Sequence, residues 1–285
     1  MNIFYVIFGD KLEYHIQAYL SIRSFQKQAN SSDKIFVMTT KPELYRNSGV
    51  DIIPIDEETI HEWKGEYGFF WRVKIKAMEY MHNHYPNDHL LYLDTDTFLY
   101  GRLDELKKRF DRGEGIMHKD EGHPSSMKTK SKRMWIQVGG KIYANISLGQ
   151  QHHMYNAGVV GIPKNKIEAV VSTALSICDT MLAENVERVV IEQYSLSISL
   201  FENTILTEGL DCIGHYWGNK LEWEHFASEM IIGAYMKKQT LLEEISLLDT
   251  ACFTRMPIHI YHSNTARRLC NLIKWCFKDK EIIYI

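Results

Sequence analysis

The sequence predicts an α/β protein with a mainly parallel central sheet and a mainly helical C-terminal extension. In the first half of the chain, short apolar runs alternate with longer amphipathic segments in the order β-α-β-β-α-β. The length of 285 residues suits one large domain, or a main domain with a smaller appendage. Hydrophobic residues make up 45% of the chain and charged residues 24%, which is ordinary for a protein with a sizeable core.

The elements are predicted in the following order. Residues 3–9 form a buried strand, and residues 14–28 show apolar residues at helical spacing. Strands at 34–40 and 51–56, a helix at 69–85 and a strand at 89–94 follow. The later elements are a strand at 154–163, helices at 166–184 and 188–201, strands at 204–209 and 211–220, and helices from about Glu224 onward.

The segment 111–135 is predicted to be a long loop, because its middle is basic and polar and lacks periodicity. Two interpretations stay open. The segment is either solvated and mobile, or it is a lid or acceptor-binding loop near the strand ends.

Charge and composition disfavour several classes of protein. The net charge of −3 does not favour nucleic acid as a partner. No apolar segment reaches the length of a membrane-spanning helix, and the first apolar run is too short for a signal peptide. The five cysteines form no CxxC pair, which fits free thiols in a reducing cytosol. We therefore expect a cytoplasmic protein.

The stretch "YLDTDTFLY", residues 92–100, has two aspartates at the end of a predicted buried strand. Neither Asp94 nor Asp96 has an evident Lys or Arg partner nearby in the sequence, so either the strand end meets water or a cation lies between them. In open α/β sheets ligands bind beyond the carboxyl ends of the strands, where Phe8 and Gly9 also lie. Mg²⁺ and Mn²⁺ take carboxylate oxygens together with substrate phosphates. The pair therefore predicts a divalent-cation site for chemistry at a diphosphate-linked centre.

Four stretches, found in one order between Met1 and Lys220, share a resemblance to a known family. They are "IFGDKLEYHIQAYLSIRSF", then "FWRVKIKAMEYM" before "HLLYLDTDTFLYGRLDEL", then "MYNAGVVGIP", and finally "IEQYSLS". Together they resemble the GT-A nucleotide-sugar glycosyltransferases, and most closely glycosyltransferase family 8 and its bacterial relatives. In the last stretch Glu192 replaces the family's Asp.

The resemblance implies a GT-A fold for a catalytic domain over residues 1–223. The pattern of residues 224–285 predicts a mainly helical extension that ends in a basic amphipathic tail. It implies roles in donor binding for Phe8 and Gly9 beside the base, Arg72 and Lys74 at the diphosphate or donor sugar, Asp94 at the ribose, Asn156 and Gly158 at the sugar pocket, and Gly218 and Lys220. Glu192 and Gln193 would point at the reacting carbon as the catalytic residues.

The resemblance also implies that Asp94, Asp96 and a late histidine hold the metal. The family has this histidine in H-x-x-G-x-x-K. His215 and Gly218 fit the spacing, whereas Lys220 comes one position early. His262, which also follows a short apolar run, is the alternative ligand.

The implied activity is a metal-dependent transfer of a hexose from a nucleoside-diphosphate sugar, by default UDP-linked, to a hydroxyl of a glycan or lipid-linked acceptor. The implied cofactor is Mn²⁺ or Mg²⁺, and the anomeric configuration would be retained. Glu192 in place of Asp and the displaced Lys220 leave an alternative open. The chain would then be a catalytically inactive nucleotide-sugar-binding or regulatory protein of the same fold.

The tail, "TARRLCNLIKWCFKDKEIIYI", places apolar residues on one helical face, namely Leu269, Leu272, Ile273 and Cys276. Basic residues beside Trp275 and Phe277 suit a helix at a membrane interface. The alternative is a helix docked on the domain. We expect peripheral contact with the cytoplasmic face of a membrane, where a lipid-linked acceptor would be concentrated.

Overall fold

The computed structural model describes residues 1–127, 130–260 and 264–277. Its strands are β1 (Asn2–Ile7), β2 (Lys34–Thr39), β3 (Asp51–Pro54), β4 (Leu90–Leu93), β5 (Thr97–Leu99), β6 (Glu114–Met117), β7 (Asp120–Gly122), β8 (Ile142–Tyr143), β9 (Ile146–Ser147), β10 (Met154–Tyr155), β11 (Val159–Ile162), β12 (Ile205–Glu208) and β13 (Ile213–His215). Its α-helices are α1 (Leu12–Gln26), α2 (Glu57–Lys64), α3 (Arg72–His84), α4 (Leu103–Asp111), α5 (Lys130–Val138), α6 (Ile167–Ala183), α7 (Ile191–Asn203), α8 (Lys220–Met236), α9 (Leu241–Leu247) and α10 (Asn264–Cys276).

A seven-stranded sheet forms the centre of the protein, in the order β12-β6-β11-β4-β1-β2-β3. β4, β1, β2 and β3 are parallel to one another. β11 runs antiparallel to both β4 and β6, and β12 is parallel to β6. The predicted α/β fold with a mainly parallel sheet is therefore confirmed.

Helices cover both faces of the sheet, because successive side chains of a strand point to opposite faces. In β1, Phe4 belongs to a buried cluster with residues of α3, α6 and α7, whereas Ile3 and Tyr5 pack with residues of α1 and α4. These residues are fully buried, so the central strands read as continuous apolar runs.

The predicted division of the chain at residues 223 and 224 falls inside α8. Trp223, in the first turns of this helix, stacks on Phe98 at a ring-centroid distance of 4.5 Å and on Tyr216 at 4.7 Å. Ala227 and Phe253 complete this aromatic cluster. The beginning of α8 therefore packs in one cluster with Leu20 of α1 and Phe98 of β5, which lie in the predicted catalytic domain.

The segment 111–135, predicted to be a long loop, contains regular structure. β6 lies inside the central sheet, where Ile116 and Met117 are fully buried. β7 pairs with β10, and α5 buries Met134 and Val138, which are one turn apart. The loop prediction was wrong because such short elements carry too few apolar residues to show a period among the basic ones.

Candidate functional site

A cavity of about 370 Å³ lies at the carboxyl ends of β1 and β4. These strands are parallel neighbours, so the residues that follow Ile7 and Leu93 meet at one edge of the sheet. The cavity brings together, from the residues predicted at the site, Phe8, Lys74, Asp94, Asp96, Asn156, His215 and Lys220.

Asp94 and Asp96 have cationic partners that are distant in the sequence. Asp96 is only 4% exposed, and its Oδ2 lies 2.8 Å from Lys220 Nζ. Asp94 Oδ1 lies 3.4 Å from Lys74 Nζ. Burial alone would raise the pKa of Asp96, but His215 and Lys220 outweigh it and hold that pKa well below its usual range. The negative charges at the end of β4 are therefore balanced by nearby cationic side chains.

His215 is oriented by Asn156. β13 pairs with β5 so that His215 lies opposite Thr97, beside Asp96. The Gly158 backbone N–H donates to Asn156 Oδ1 at 3.0 Å, which identifies this atom as the amide oxygen. His215 Nδ1 lies 3.0 Å from the same oxygen and must carry a proton to donate to it. In the neutral ring, Nε2 is then an unprotonated acceptor, 3.2 Å from Asp96 Oδ1.

Asp94, Asp96 and His215 form a cluster that fits a divalent cation. Each offers one ligand atom, and these atoms lie within 4.8 Å of one another. A cation between the acceptor atoms of Asp96 and His215 would remove their repulsion. Carboxylate oxygens suit Mg²⁺ and Mn²⁺, and imidazole suits several first-row transition metals, so both kinds of ligand fit a divalent cation. The alternative ligand His262 lies outside the described residues.

Lys74 is buried beside Asp94. Its Nζ donates to the Ala157 carbonyl at 3.0 Å and pairs with Glu192 Oε1 at 3.1 Å. Burial alone would lower the pKa of Lys74, but Asp94 and Glu192 raise it above its ordinary value. Burial raises the pKa of Glu192, and Lys74 only partly offsets this. Glu192 is 6% exposed and does not line the cavity, so its carboxylate holds Lys74.

Arg72 does not reach the cavity. Its Nε and Nη2 donate to the two carboxylate oxygens of Asp179 at 2.7 and 2.9 Å, and Nη1 donates to the Trp63 carbonyl at 2.9 Å. Arg72 and Lys74 are two residues apart on α3 and therefore point about 200° apart around its axis. The expectation that both reach the donor is corrected: Lys74 lines the cavity, and Arg72 binds α6.

Three other predicted residues are not part of the cavity lining. Gly9 follows β1 with a φ of +90°, a conformation that favours glycine. Gly218 lies against His259, because a Cβ there would be 1.8 Å from the ring Nδ1. Gln193 Nε2 donates to Glu121 Oε2 at 2.9 Å.

Aromatic side chains form much of the cavity wall, although the sequence did not single them out. They are Tyr14, Phe70, Trp71, Tyr92 and Trp217. Phe70 packs on Phe8 with ring centroids 5.1 Å apart, and the Phe70, Trp71 and Trp217 side chains are exposed by 43%, 48% and 51%. Such exposure suits a ligand surface. The signal that could have identified them is the run of three aromatic residues at 69–71. The start of one helix cannot bury three adjacent large side chains completely.

Gly158 allows the close approach of His215. A Cβ at this position would lie 2.2 Å from His215 Cε1. We expect Gly158→Ala to lower the free energy of unfolding by about 1–3 kcal/mol, because the ring must move in a packed region. Urea denaturation measures the change.

Gly233→Ala is the matched control for this substitution. Gly233 lies in α8 with open space around its Cα. Alanine is favoured there by about 0.5–1 kcal/mol, so the control should be slightly more stable than wild type. Equal stability of the Gly158→Ala and wild-type chains would show that the His215 ring is free to move.

The chain is similar to a family of known proteins and to solved structures. The model of a family described as "Rhodobacterales glycosyltransferase domain" matches residues 4–201. Among solved structures, mouse xyloside xylosyltransferase 1 in its apo form is similar, with a TM-score of 0.48 and 11% sequence identity, over 73% of this chain and 85% of that chain. No curated protein matches the sequence.

The family match covers more than half of the chain and includes the Asp94 and Asp96 pair, but it ends before His215 and Lys220. It does not distinguish family 8 within the glycosyltransferases, so that finer assignment stays a prediction. The chain belongs to the Rhodobacterales glycosyltransferase domain family, and it is a glycosyltransferase.

Proposed function

We propose that the chain transfers a hexosyl group from a UDP-linked hexose to a hydroxyl of a glycan or lipid-linked acceptor, with Mn²⁺ or Mg²⁺ as cofactor and with retention of configuration. The observation that carries the proposal is the cluster of Asp94, Asp96 and His215 in a cavity that also has aromatic walls. A nucleoside base needs apolar surface, and a diphosphate needs positive charge; this cavity offers both.

Lys220 is the side chain best placed to receive the departing diphosphate. It lines the cavity although it comes one position early in the family's motif, and its side chain is 42% exposed. Lys74 is buried between Asp94 and Glu192, so it holds Asp94 instead. The bound cation would neutralise charge that grows on the leaving group.

Gln193 is the better candidate to face the reacting sugar carbon. Positive charge develops on this carbon during glycosyl transfer, and the carbonyl end of an amide dipole would stabilise it. The amide nitrogen of Gln193 donates a hydrogen bond to Glu121, so the carbonyl oxygen of the same amide points away from Glu121. Glu192, the other predicted catalytic residue, is engaged by Lys74 and buried. We therefore assign Glu192 a structural role beside the site.

A donor screen tests the proposed function. Thermal shift with a panel of UDP-hexoses should show stabilisation in the presence of Mn²⁺ and none with EDTA, because a bound ligand stabilises the folded state by mass action. The donor that stabilises the chain should release UDP on incubation with Mn²⁺. Metal-dependent binding without any turnover would contradict the transfer and favour the nucleotide-sugar-binding alternative.

The described helices contain none that is long and apolar enough to cross a membrane. The membrane contact that we propose is peripheral and involves α10. The apolar face of this helix is exposed, with Leu269 at 55%, Leu272 at 52% and Ile273 at 49%. Trp275 and Phe277 are exposed by 73% and 78%. A helix docked on the domain would bury this face, so its exposure supports the interfacial alternative.

We expect the full chain to co-sediment with anionic vesicles at low salt and much less at high salt. Basic residues in the tail sequence attract anionic lipid, by about 1 kcal/mol for each residue near the surface, and salt screens this attraction. A chain that ends at Asn264 is the control and should stay in the supernatant. Equal and negligible binding by both chains would favour the docked helix.

A further inference from the structure

Glu121 joins Asn156, which was predicted at the sugar pocket, to Gln193, which was predicted to face the reacting carbon. It lies in β7, where its side chain is exposed. Its Oε1 accepts a hydrogen bond from Asn156 Nδ2 at 3.1 Å, and its Oε2 accepts one from Gln193 Nε2 at 2.9 Å. Both oxygens of one carboxylate are therefore used to hold two amides that come from different parts of the chain.

This contact decides which way each amide points. An ionised carboxylate can only accept hydrogen bonds, so both amides must turn their nitrogen toward Glu121. For Asn156 the same orientation is required independently by the Gly158 N–H, which donates to Oδ1. The amide oxygen of Asn156 in turn accepts from His215 Nδ1. For Gln193 the orientation follows from the Glu121 contact.

The chain just before Glu121 is held by contacts with other parts of the protein. The Asn156 backbone N–H donates to the Lys119 carbonyl at 2.8 Å, and the Asp120 N–H donates to the side chain of Glu208 at 2.7 Å. The Asp120 carboxylate also lies 2.8 Å from His153 Nδ1. Glu121 therefore sits on a fixed strand, which lets its carboxylate impose an orientation on its partners.

We infer that Glu121 is a positioning residue, which orients the Gln193 amide so that its carbonyl oxygen faces the reacting sugar carbon. The inference rests on the role proposed above for Gln193. The carbonyl end of the amide stabilises developing positive charge, whereas the N–H end opposes it. A flipped amide would therefore slow the transfer without removing any group that binds the nucleotide.

The test compares Glu121→Gln with the wild-type chain in UDP-hexose transfer. The Gly158 N–H keeps the Asn156 nitrogen pointed at position 121, so the oxygen of a glutamine there accepts from Asn156. The glutamine then offers its own N–H to Gln193, and the Gln193 orientation is lost. We expect kcat to fall by about tenfold, below the 10²–10³-fold typical of losing a directly stabilising group. The donor KM should stay within about twofold, because the Gly158 N–H keeps Asn156 in its orientation without Glu121.

A double-mutant cycle tests whether Glu121 affects kcat through Gln193. In a Gln193→Ala background, Glu121→Gln should cost little further kcat, because the amide that it orients is gone. Glu105→Gln is the surface control and should behave like wild type, because Glu105 is a half-exposed residue of α4. Unchanged kcat in Glu121→Gln, additive losses in the cycle, or a change confined to the acceptor KM would overturn the inference.

Urea denaturation tests the contact between Glu121 and Gln193 independently of whether the chain transfers a hexose. If the wild-type chain releases no UDP from any UDP-hexose, the proposed function fails. The Glu121 contact is then judged by the same cycle in urea denaturation midpoints, using the Glu121→Ala, Gln193→Ala and double variants. Non-additive midpoints support the contact and its orientation of Gln193, and additive midpoints overturn it.

Discussion

The Asp96→Asn variant is expected to lose metal-dependent donor binding and to transfer the hexose more than about a hundredfold more slowly than wild type. Substitutions of groups that only support metal ligands already cost about 10–100-fold, so loss of a ligand should cost more. Asparagine keeps the shape of the side chain but removes the negative charge, which both the cation and Lys220 would bind.

The same variant should also be less stable. The negative charges of Asp94 and Asp96 are offset in the structure by Lys74 and Lys220. Removing the Asp96 carboxylate leaves Lys220 without this partner. Because the Lys220 side chain is 42% exposed, water recovers part of the loss, and we expect a cost of about 1–2 kcal/mol, below that of breaking a fully buried pair.

Three measurements check the Asp96→Asn prediction. They are calorimetric titration with Mn²⁺ in the presence of UDP, the transfer rate, and urea denaturation. Asp104→Asn is the matched control, because Asp104 is an exposed aspartate of α4. Unchanged turnover in Asp96→Asn would show that the metal assignment is wrong.

The His215→Ala variant is expected to lower transfer by a similar factor, more than about a hundredfold. His215 would supply the nitrogen ligand, and it is also the neighbour of Asp96, at 3.2 Å, and of Asn156, at 3.0 Å. Alanine removes the ligand and frees both neighbours to move. The Mn²⁺ affinity, measured by calorimetry, should fall together with the rate.

His262→Ala is the comparison that distinguishes the two candidate ligands. We expect it to lower transfer far less than His215→Ala does, because Asp94, Asp96 and His215 already offer one ligand atom each. A crystal structure with Mn²⁺ and UDP would identify the ligands directly. A larger loss in His262→Ala than in His215→Ala would reverse the assignment.

The local sequence pattern was sufficient to predict the central strands and the edge of the sheet at which the candidate site lies. The apolar run of β4 ends at Leu93, and that of β1 ends at Ile7. Helices between parallel strands bring the carboxyl ends of those strands to the same edge of the sheet, so strand order alone places Asp94, Asp96 and Phe8 together. The family match agrees with the glycosyltransferase activity that the resemblance implied.

The loop prediction for 111–135 shows where local pattern stops being informative. β6 has four residues, and only its place between β11 and β12 makes it a strand of the central sheet. Glu121 follows in β7, and its importance depends on Asn156 and Gln193. Nothing in the residues next to Glu121 distinguishes it from a solvated glutamate.

The sequence by itself therefore determined the fold class, the edge of the sheet at which the candidate site lies, and the residue types of the cluster that could hold a metal. Only the tertiary structure decided which charged side chains face the cavity. Arg72 is held by Asp179, 107 residues away, and Asp96 lies beside His215, 119 residues away. The physical reason is that a buried charge is positioned by the partner that compensates it, and strands and helices packed in three dimensions bring that partner from a distance that sequence spacing does not encode.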